Sequence, residues 1–301
     1  MNRRHFLHTT LGTTIASSLL AASAYAIDPI VRTGPAQLKL SIAAYSYRDY
    51  LTGKKKPNMT LDDFVNLCAD MGLPAVELTS YYFKDTSIAA LAKLKGRCTR
   101  LGLDVSGGAV GNKFTEADPA KLKDEIKKTK EWTERYATLG AKAIRIFAGN
   151  PVKGEAEEVT RKRCIEAILE VCEHANQFGI YMALENHGGI VTTAEQLLTI
   201  VKEVKHDWFG VNLDSGNFRT ADSYGDFAKL APYAVNVQFK TEVQYAGQKK
   251  QDADLNKLVL ILKEAKYRGY VALEYEAAAD PMTAIPKHLH TMKELFAGCN
   301  G

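Results

Sequence analysis

Glu185, Asp214, Gln238 and Glu274 each stand at or near the end of a short apolar run in the second half of the chain. Together they carry the chemistry of a single divalent-metal site. Glu185 closes the run 180–184, Asp214 closes 209–213, Gln238 lies within 234–239, and Glu274 closes 270–273. Three carboxylates and one amide oxygen form an all-oxygen donor set. Such a set suits Mn2+ or Mg2+ better than a thiolate-preferring metal, with Zn2+ and Co2+ as alternatives. One carboxylate at a strand end is more often solvated or salt-bridged than a ligand. The weight rests on four such residues in four successive runs.

Runs of this length read as buried strands, and they must be held by something regular. After a linker over 27–37 that carries Pro29, Gly34 and Pro35, short β-rich runs alternate with longer amphipathic segments. The strands are expected at 38–45, 75–79, 103–107, 142–147, 180–185, 209–214, 234–240 and 270–275. The helices are expected near 60–71, 86–101, 119–139, 158–178, 193–205, 222–231, 252–267 and 282–297. Thr60, Asp118 and Thr193 have the chemistry of helix N-caps, and Gly72, Gly102, Gly140, Gly179 and Gly269 follow helical runs where a left-handed cap suits glycine. Eight strand–helix repeats specify an α/β fold, a (β/α)8 TIM barrel, as one domain over 38–301. An open doubly wound sheet is the alternative, but no GxGxxG follows the first strand.

In such a barrel the carboxyl ends of the strands converge on one mouth, so the four residues face one another. Strand alternation puts His187, Asn212, Asn236, Lys240 and Glu276 on the same side as the nearest of them. His187, Asn217, Lys240 and Glu276 are therefore expected to contact substrate. Tyr45, Tyr47, Glu77, Arg145 and Asn150 lie at or just past strand ends in the first half and are expected to line the opposite wall, with Tyr45, Glu77 and Arg145 as further substrate contacts. Tyr81, Tyr82 and Phe83 read as local packing rather than as a sugar-stacking platform.

Composition excludes some partners. With 46% hydrophobic and 25% charged residues, the 301-residue chain is ordinary globular material. Arg3 and Arg4, ahead of an uncharged stretch over 9–26 that closes on Ala24, Tyr25 and Ala26, have the look of a twin-arginine export signal. Export to the periplasm is the expectation, with an uncleaved anchor as the alternative and no stable membrane association once 1–26 is removed. Removal of those two arginines takes the net charge from +4 to +2, which calls for no nucleic-acid partner. The five cysteines have no CxxC spacing and read as small buried hydrophobes, although a bridge between Cys68 and Cys98 is open in an oxidising compartment. A homo-oligomer is compatible with all of this.

The segments 183–189, 210–217, 237–242 and 272–276 resemble the xylose isomerase-like barrel superfamily of sugar phosphate isomerases and epimerases, over about 38–297. The resemblance implies that Glu185, Asp214 and Glu274 bind one divalent ion, and that Glu185 and Glu274 also move protons. The third matching position is commonly histidine. Here it is Gln238, a harder ligand that points away from zinc. The implied activity is isomerisation or epimerisation of a keto sugar or polyol derivative through an enediolate, with loss of a β-substituent as a lyase variant. A nuclease with a three-zinc cluster needs histidines at strand ends that this chain lacks. A non-catalytic sugar-binding barrel is the other alternative, and retention of both glutamates speaks against it.

Overall fold

The computed structural model describes residues 28–299. The export-signal expectation for 1–26 lies outside the described residues. Eight strands alternate with helices as the periodicity demanded: β1 Gln37–Ile42, β2 Ala75–Thr79, β3 Asp104–Ala109, β4 Ala143–Ile146, β5 Tyr181–Glu185, β6 Phe209–Asp214 and β7 Ala234–Phe239. A short hairpin of β8 Glu242–Val243 and β9 Gln251–Asp252 then intervenes before the eighth barrel strand, β10 Arg268–Leu273. The barrel strands are all parallel, in the order β1-β10-β7-β6-β5-β4-β3-β2. A single bridge from Ala43 to Glu77 nearly closes the ring between β1 and β2.

The helices are α1 Arg48–Leu51, α2 Leu61–Asp70, α3 Ile88–Arg100, α4 Pro119–Leu139, α5 Glu157–Asn176, α6 Ala194–Glu203, α7 Ser223–Leu230, α8 Leu255–Glu264 and α9 Pro281–Cys299. Their starts are chemically specified. Thr60 and Thr193 form capping boxes with Asp63 and Gln196, and the Asp118 carboxylate accepts from the backbone N–H groups of Ala120 and Lys121, just past Pro119. The helices lay apolar faces on the outside of the strands, with Phe64, Leu94, Ile168, Leu197, Phe227 and Leu262 buried at that contact. Each such side chain contributes about 1.5–3 kcal/mol by leaving water. α4 docks closely because Gly108 has no side chain: a Cβ there would stand 2.3 Å from the Tyr136 ring. The Tyr136 hydroxyl uses that proximity to donate to Leu78 O at 2.8 Å and to accept from Ala109 N at 3.2 Å.

Four expectations change in detail. Gly269 lies inside β10 rather than capping a helix, and the left-handed residue after α8 is Lys266. β1 ends at Ile42 rather than 45, because residues 44–47 turn into a 3-10 segment that Ser46 ties to the last strand through its bond to Leu273 O. The hairpin β8–β9 and the short α1 carry no periodic signal. The described part of the expected linker is docked on the barrel floor: Ile30 N donates to Pro232 O, and the Arg32 guanidinium donates to Pro232 O, Ala234 O and Ala265 O while lying over the Tyr267 ring.

Candidate metal centre and active site

The carboxylates of Glu185, Asp214 and Glu274 are buried, and each offers an oxygen within 4.8 Å of the others. They come from the ends of β5, β6 and β10, where the parallel register brings carboxyl ends together. Each is held differently. Glu185 is gripped from two sides, with Arg145 Nε 3.0 Å from Oε2 and Asn217 Nδ2 donating to Oε1 at 2.7 Å. Asp214 Oδ1 accepts from Gly216 N at 2.8 Å, whereas its buried Oδ2 takes part in no hydrogen bond. Lys240 Nζ lies among the acids, 3.3 Å from Asp214 Oδ2, 3.0 Å from Glu274 Oε2 and 3.1 Å from Glu276 Oε2.

This arrangement pushes the carboxyl groups apart in acidity. Burial raises Glu185 well above the ordinary carboxylate value, against the pull of Arg145 and with help from the Asp214 and Glu274 charges. Burial likewise raises Asp214 to about 7, with Lys240 opposing and Glu274 adding to the rise. Burial also acts upward on Glu274, but Lys240 and Arg145 outweigh it and leave that group below its ordinary value. Glu185 and Glu274 are thus displaced in opposite directions from the ordinary carboxylate value. Two carboxyls separated in this way suit a base and an acid.

Beneath the triad lies a closed hydrogen-bonded ring of four side chains. Gln238 Nε2 donates to Glu77 Oε1 at 2.5 Å, Asn236 Nδ2 donates to Glu77 Oε2 at 2.8 Å and to Asn212 Oδ1 at 2.7 Å, and Asn212 Nδ2 donates to Gln238 Oε1 at 2.7 Å. The ring fills the barrel interior and fixes which end of the Gln238 amide is oxygen. It joins β2, β6 and β7, with Asn212 opposite Asn236 in the register and Gln238 opposite Asp214, and register shifts at Val76/Glu77 in β2 and Val211/Asn212 in β6 fall beside two of its members. Burial raises Glu77 to about 7, opposed by its amide donors and reinforced by Glu274.

The remaining expected site residues divide into two groups. Tyr45 and Glu276 stand at the mouth, with Tyr45 against Arg48 and half-buried. His187 is there too, 4.3 Å from the Phe147 ring, and burial lowers its imidazole, helped by the Arg145 and Lys240 charges, so it is neutral at pH 7. The structure gives others a different task. Arg145 and Asn217, expected to meet substrate, hold Glu185. Glu77, expected on the wall, lies fully buried in the ring. Tyr47 is core, packed on Phe64 at 5.9 Å, and Phe83 packs on Trp132 at 5.3 Å as expected of local packing. Asn150 is largely exposed beyond β4. All five cysteines are free and buried, so no Cys68–Cys98 bridge is formed.

Asn186 was not singled out by sequence reasoning. Its side chain accepts from Asp214 N and donates to Asp214 O, both at 2.9 Å, and so splices β5 to β6 at the level of the triad. The only signal was an asparagine next to a strand-end glutamate. Beside the triad opens a polar pocket walled by Asn217, Arg219, Lys240, Gln244, Lys250 and Glu276. The hairpin β8–β9 supplies one side of it.

Residues 65–295 match the family described as Xylose isomerase-like TIM barrel. The chain belongs to that family. Among its curated relatives, a 3-dehydroshikimate dehydratase of Bacillus anthracis is 29% identical over 126 residues, 40% of this chain and 45% of the relative, so the match spans less than half of that protein. An inosose isomerase of Bacillus velezensis is 24% identical over 237 residues, 72% of this chain and 84% of the relative. A solved structure described as IOLI protein with a binding zinc atom superposes with a TM-score of 0.67 at 21% identity, covering 87% of this chain and 98% of that one. At that identity the likeness establishes the shared fold. This xylose isomerase-like barrel is thus related to sugar isomerases and to a dehydratase. Among the described residues no helix is long and apolar enough to cross a membrane.

Proposed function

We propose that this barrel is a divalent-metal-dependent isomerase or epimerase of a keto sugar or polyol derivative, working by proton transfer next to a carbonyl. One observation carries the reading: two buried glutamates from different strands converge with Asp214, whose buried Oδ2 accepts no hydrogen bond and has only the Lys240 ammonium beside it. Those three carboxylates fit a hard cation, with the second lone pair of Gln238 Oε1 as a further donor. A bound divalent ion would polarise the substrate carbonyl and so acidify the neighbouring carbon.

The protein's own groups supply the rest. Glu274 takes a proton from the carbon. Glu185, held in place by Arg145 and Asn217, delivers one. Delivery to the opposite face of the same carbon inverts it, and delivery to the adjacent carbon moves the carbonyl. His187 and Glu276 offer hydrogen bonds to substrate hydroxyls at the polar mouth. A lyase outcome, with water expelled from the β-position, uses the same first step, and the dehydratase relative supports keeping it as a second reading.

The test is deuterium uptake from D2O into a panel of keto sugars and keto polyols with Mn2+ or Mg2+ supplied. Uptake by the parent and its loss in Glu185→Gln is expected; full exchange in the variant would sink the assignment. Export remains a proposal from Arg3, Arg4 and the stretch 9–26. Fractionation followed by N-terminal sequencing of the mature chain checks it.

A further inference from the structure

Lys240 is the feature that the proton-transfer scheme leaves unexplained. Its ammonium is buried, yet it does not reach for solvent. It touches Asp214, Glu274 and Glu276 at 3.0–3.3 Å, and two of those three residues belong to the triad that would hold a metal. The position is enforced by the backbone rather than by chance rotamers. Lys240 N donates to Ser215 Oγ at 2.8 Å, and its stem passes Gly216 so closely that a Cβ there would stand 2.8 Å from Lys240 Cβ. A cation is thus built into the site by the chain itself.

We infer that Lys240 is an internal counter-ion that competes with the divalent metal for the oxygens of Asp214 and Glu274, with Glu276 as the partner that retains the ammonium when the metal is bound. The inference rests on the metal-dependent reading above. Three buried carboxylates at this separation repel strongly when nothing positive lies between them, so an empty triad without Lys240 is poorly assembled. A divalent ion supplies twice the charge of the ammonium at the same oxygens, so the two cations cannot both neutralise them fully. Glu276 makes the exchange feasible. Its carboxylate is the most exposed of the three that touch Lys240 and borders the polar pocket, so the ammonium keeps one charged partner as it gives up two. Metal affinity is thereby set by the ammonium as well as by the ligands, and Lys240 is presented toward the substrate pocket when the metal is in place.

The experiment is calorimetric titration of Mn2+ into the full chain after chelation, for the parent, Lys240→Met, Glu276→Gln and Lys250→Met. Lys250 lines the same pocket but pairs with Glu242 rather than with the triad, so it controls for loss of any nearby charge. Lys240→Met is expected to bind Mn2+ at least about tenfold tighter than the parent, since removal of a cation a few ångströms from the ion lifts a repulsion of several RT. Its metal-free form is expected to melt lower and to recover on addition of Mn2+. Glu276→Gln, which needs no buried charge to be deleted from the triad, is expected to bind Mn2+ about threefold more weakly, because the ammonium loses its alternative partner. Lys250→Met is expected to match the parent. Equal or weaker binding by Lys240→Met, with the parent binding normally, overturns the competition and leaves the metal-dependent reading intact. An absence of Mn2+ binding in both the parent and Lys240→Met overturns the two together.

Discussion

Two layers of the barrel interior lie one above the other and handle polarity in opposite ways. In the lower, Glu77, Asn212, Asn236 and Gln238 close a ring in which every member is hydrogen-bonded to two others. In the upper, Glu185, Asp214 and Glu274 crowd like charges together, and one buried oxygen stays without a hydrogen bond. The difference separates polarity that builds from polarity that reacts. A closed ring defines one arrangement and strengthens itself, while a crowded triad holds free energy that a ligand can release.

The comparison can be broken at several points. The largest effect is expected from Glu274→Gln in the upper layer, which should lower deuterium exchange by about 10²- to 10⁴-fold, the usual weight of a positioned acid or base, while the far-ultraviolet dichroism is unchanged. In the lower layer Glu77→Ala leaves the Gln238 and Asn236 amides without their acceptor. It should cost about 3 kcal/mol and lower the melting temperature by roughly 6–12 °C. If the ring variant kept its stability and the triad variant lost it, the assignment of roles to the two layers would be reversed.

Acidity sharpens the same contrast. Glu77 has an ordinary value of 4.5, raised to about 7 in the folded protein. Below pH 4.5 the group is protonated folded or unfolded. Between 4.5 and 7 the unfolded chain gives up the proton and the folded one keeps it, so stability falls as pH rises, by about 3 kcal/mol once pH passes 7. Denaturant melts of chelated protein from pH 4.5 to 8 should show this slope together with that of Asp214 and Glu185, which are raised too, and Glu77→Ala should make it shallower by the Glu77 share. The smallest effect is expected from Asp214→Asn. With one charge gone from the triad, the chelated protein should gain about 1–2 kcal/mol at pH 8 while losing its affinity for Mn2+. A loss of stability there would show that the triad is structural rather than poised for a ligand.

Much of this was legible in the residues because the barrel repeats one signal eight times. Strand ends at 185 and 214 followed from apolar runs broken by an acid, and helix starts followed from Thr60, Asp118 and Thr193. What was not legible depends on level across the barrel. Register shifts fall beside Glu77 and Asn212, and a one-residue slip has no signature in composition. For the same reason Glu77 read as a wall residue and Arg145 and Asn217 as substrate contacts, when their partners lie on other strands. The hairpin β8–β9 escaped because two-residue strands carry no periodicity. Lys240 was placed on the correct face, but its insertion among three carboxylates depends on how closely the backbone passes at Gly216.

Arg32 binds three carbonyls on the barrel floor, so the described chain begins at the face opposite the mouth. That gives the molecule a polarity useful at the bench. A tether or a fused protein joined ahead of Asp28 leaves from the floor, and protein immobilised through it turns its mouth to the solution. Soluble and surface-bound preparations should therefore exchange deuterium at the same rate per molecule.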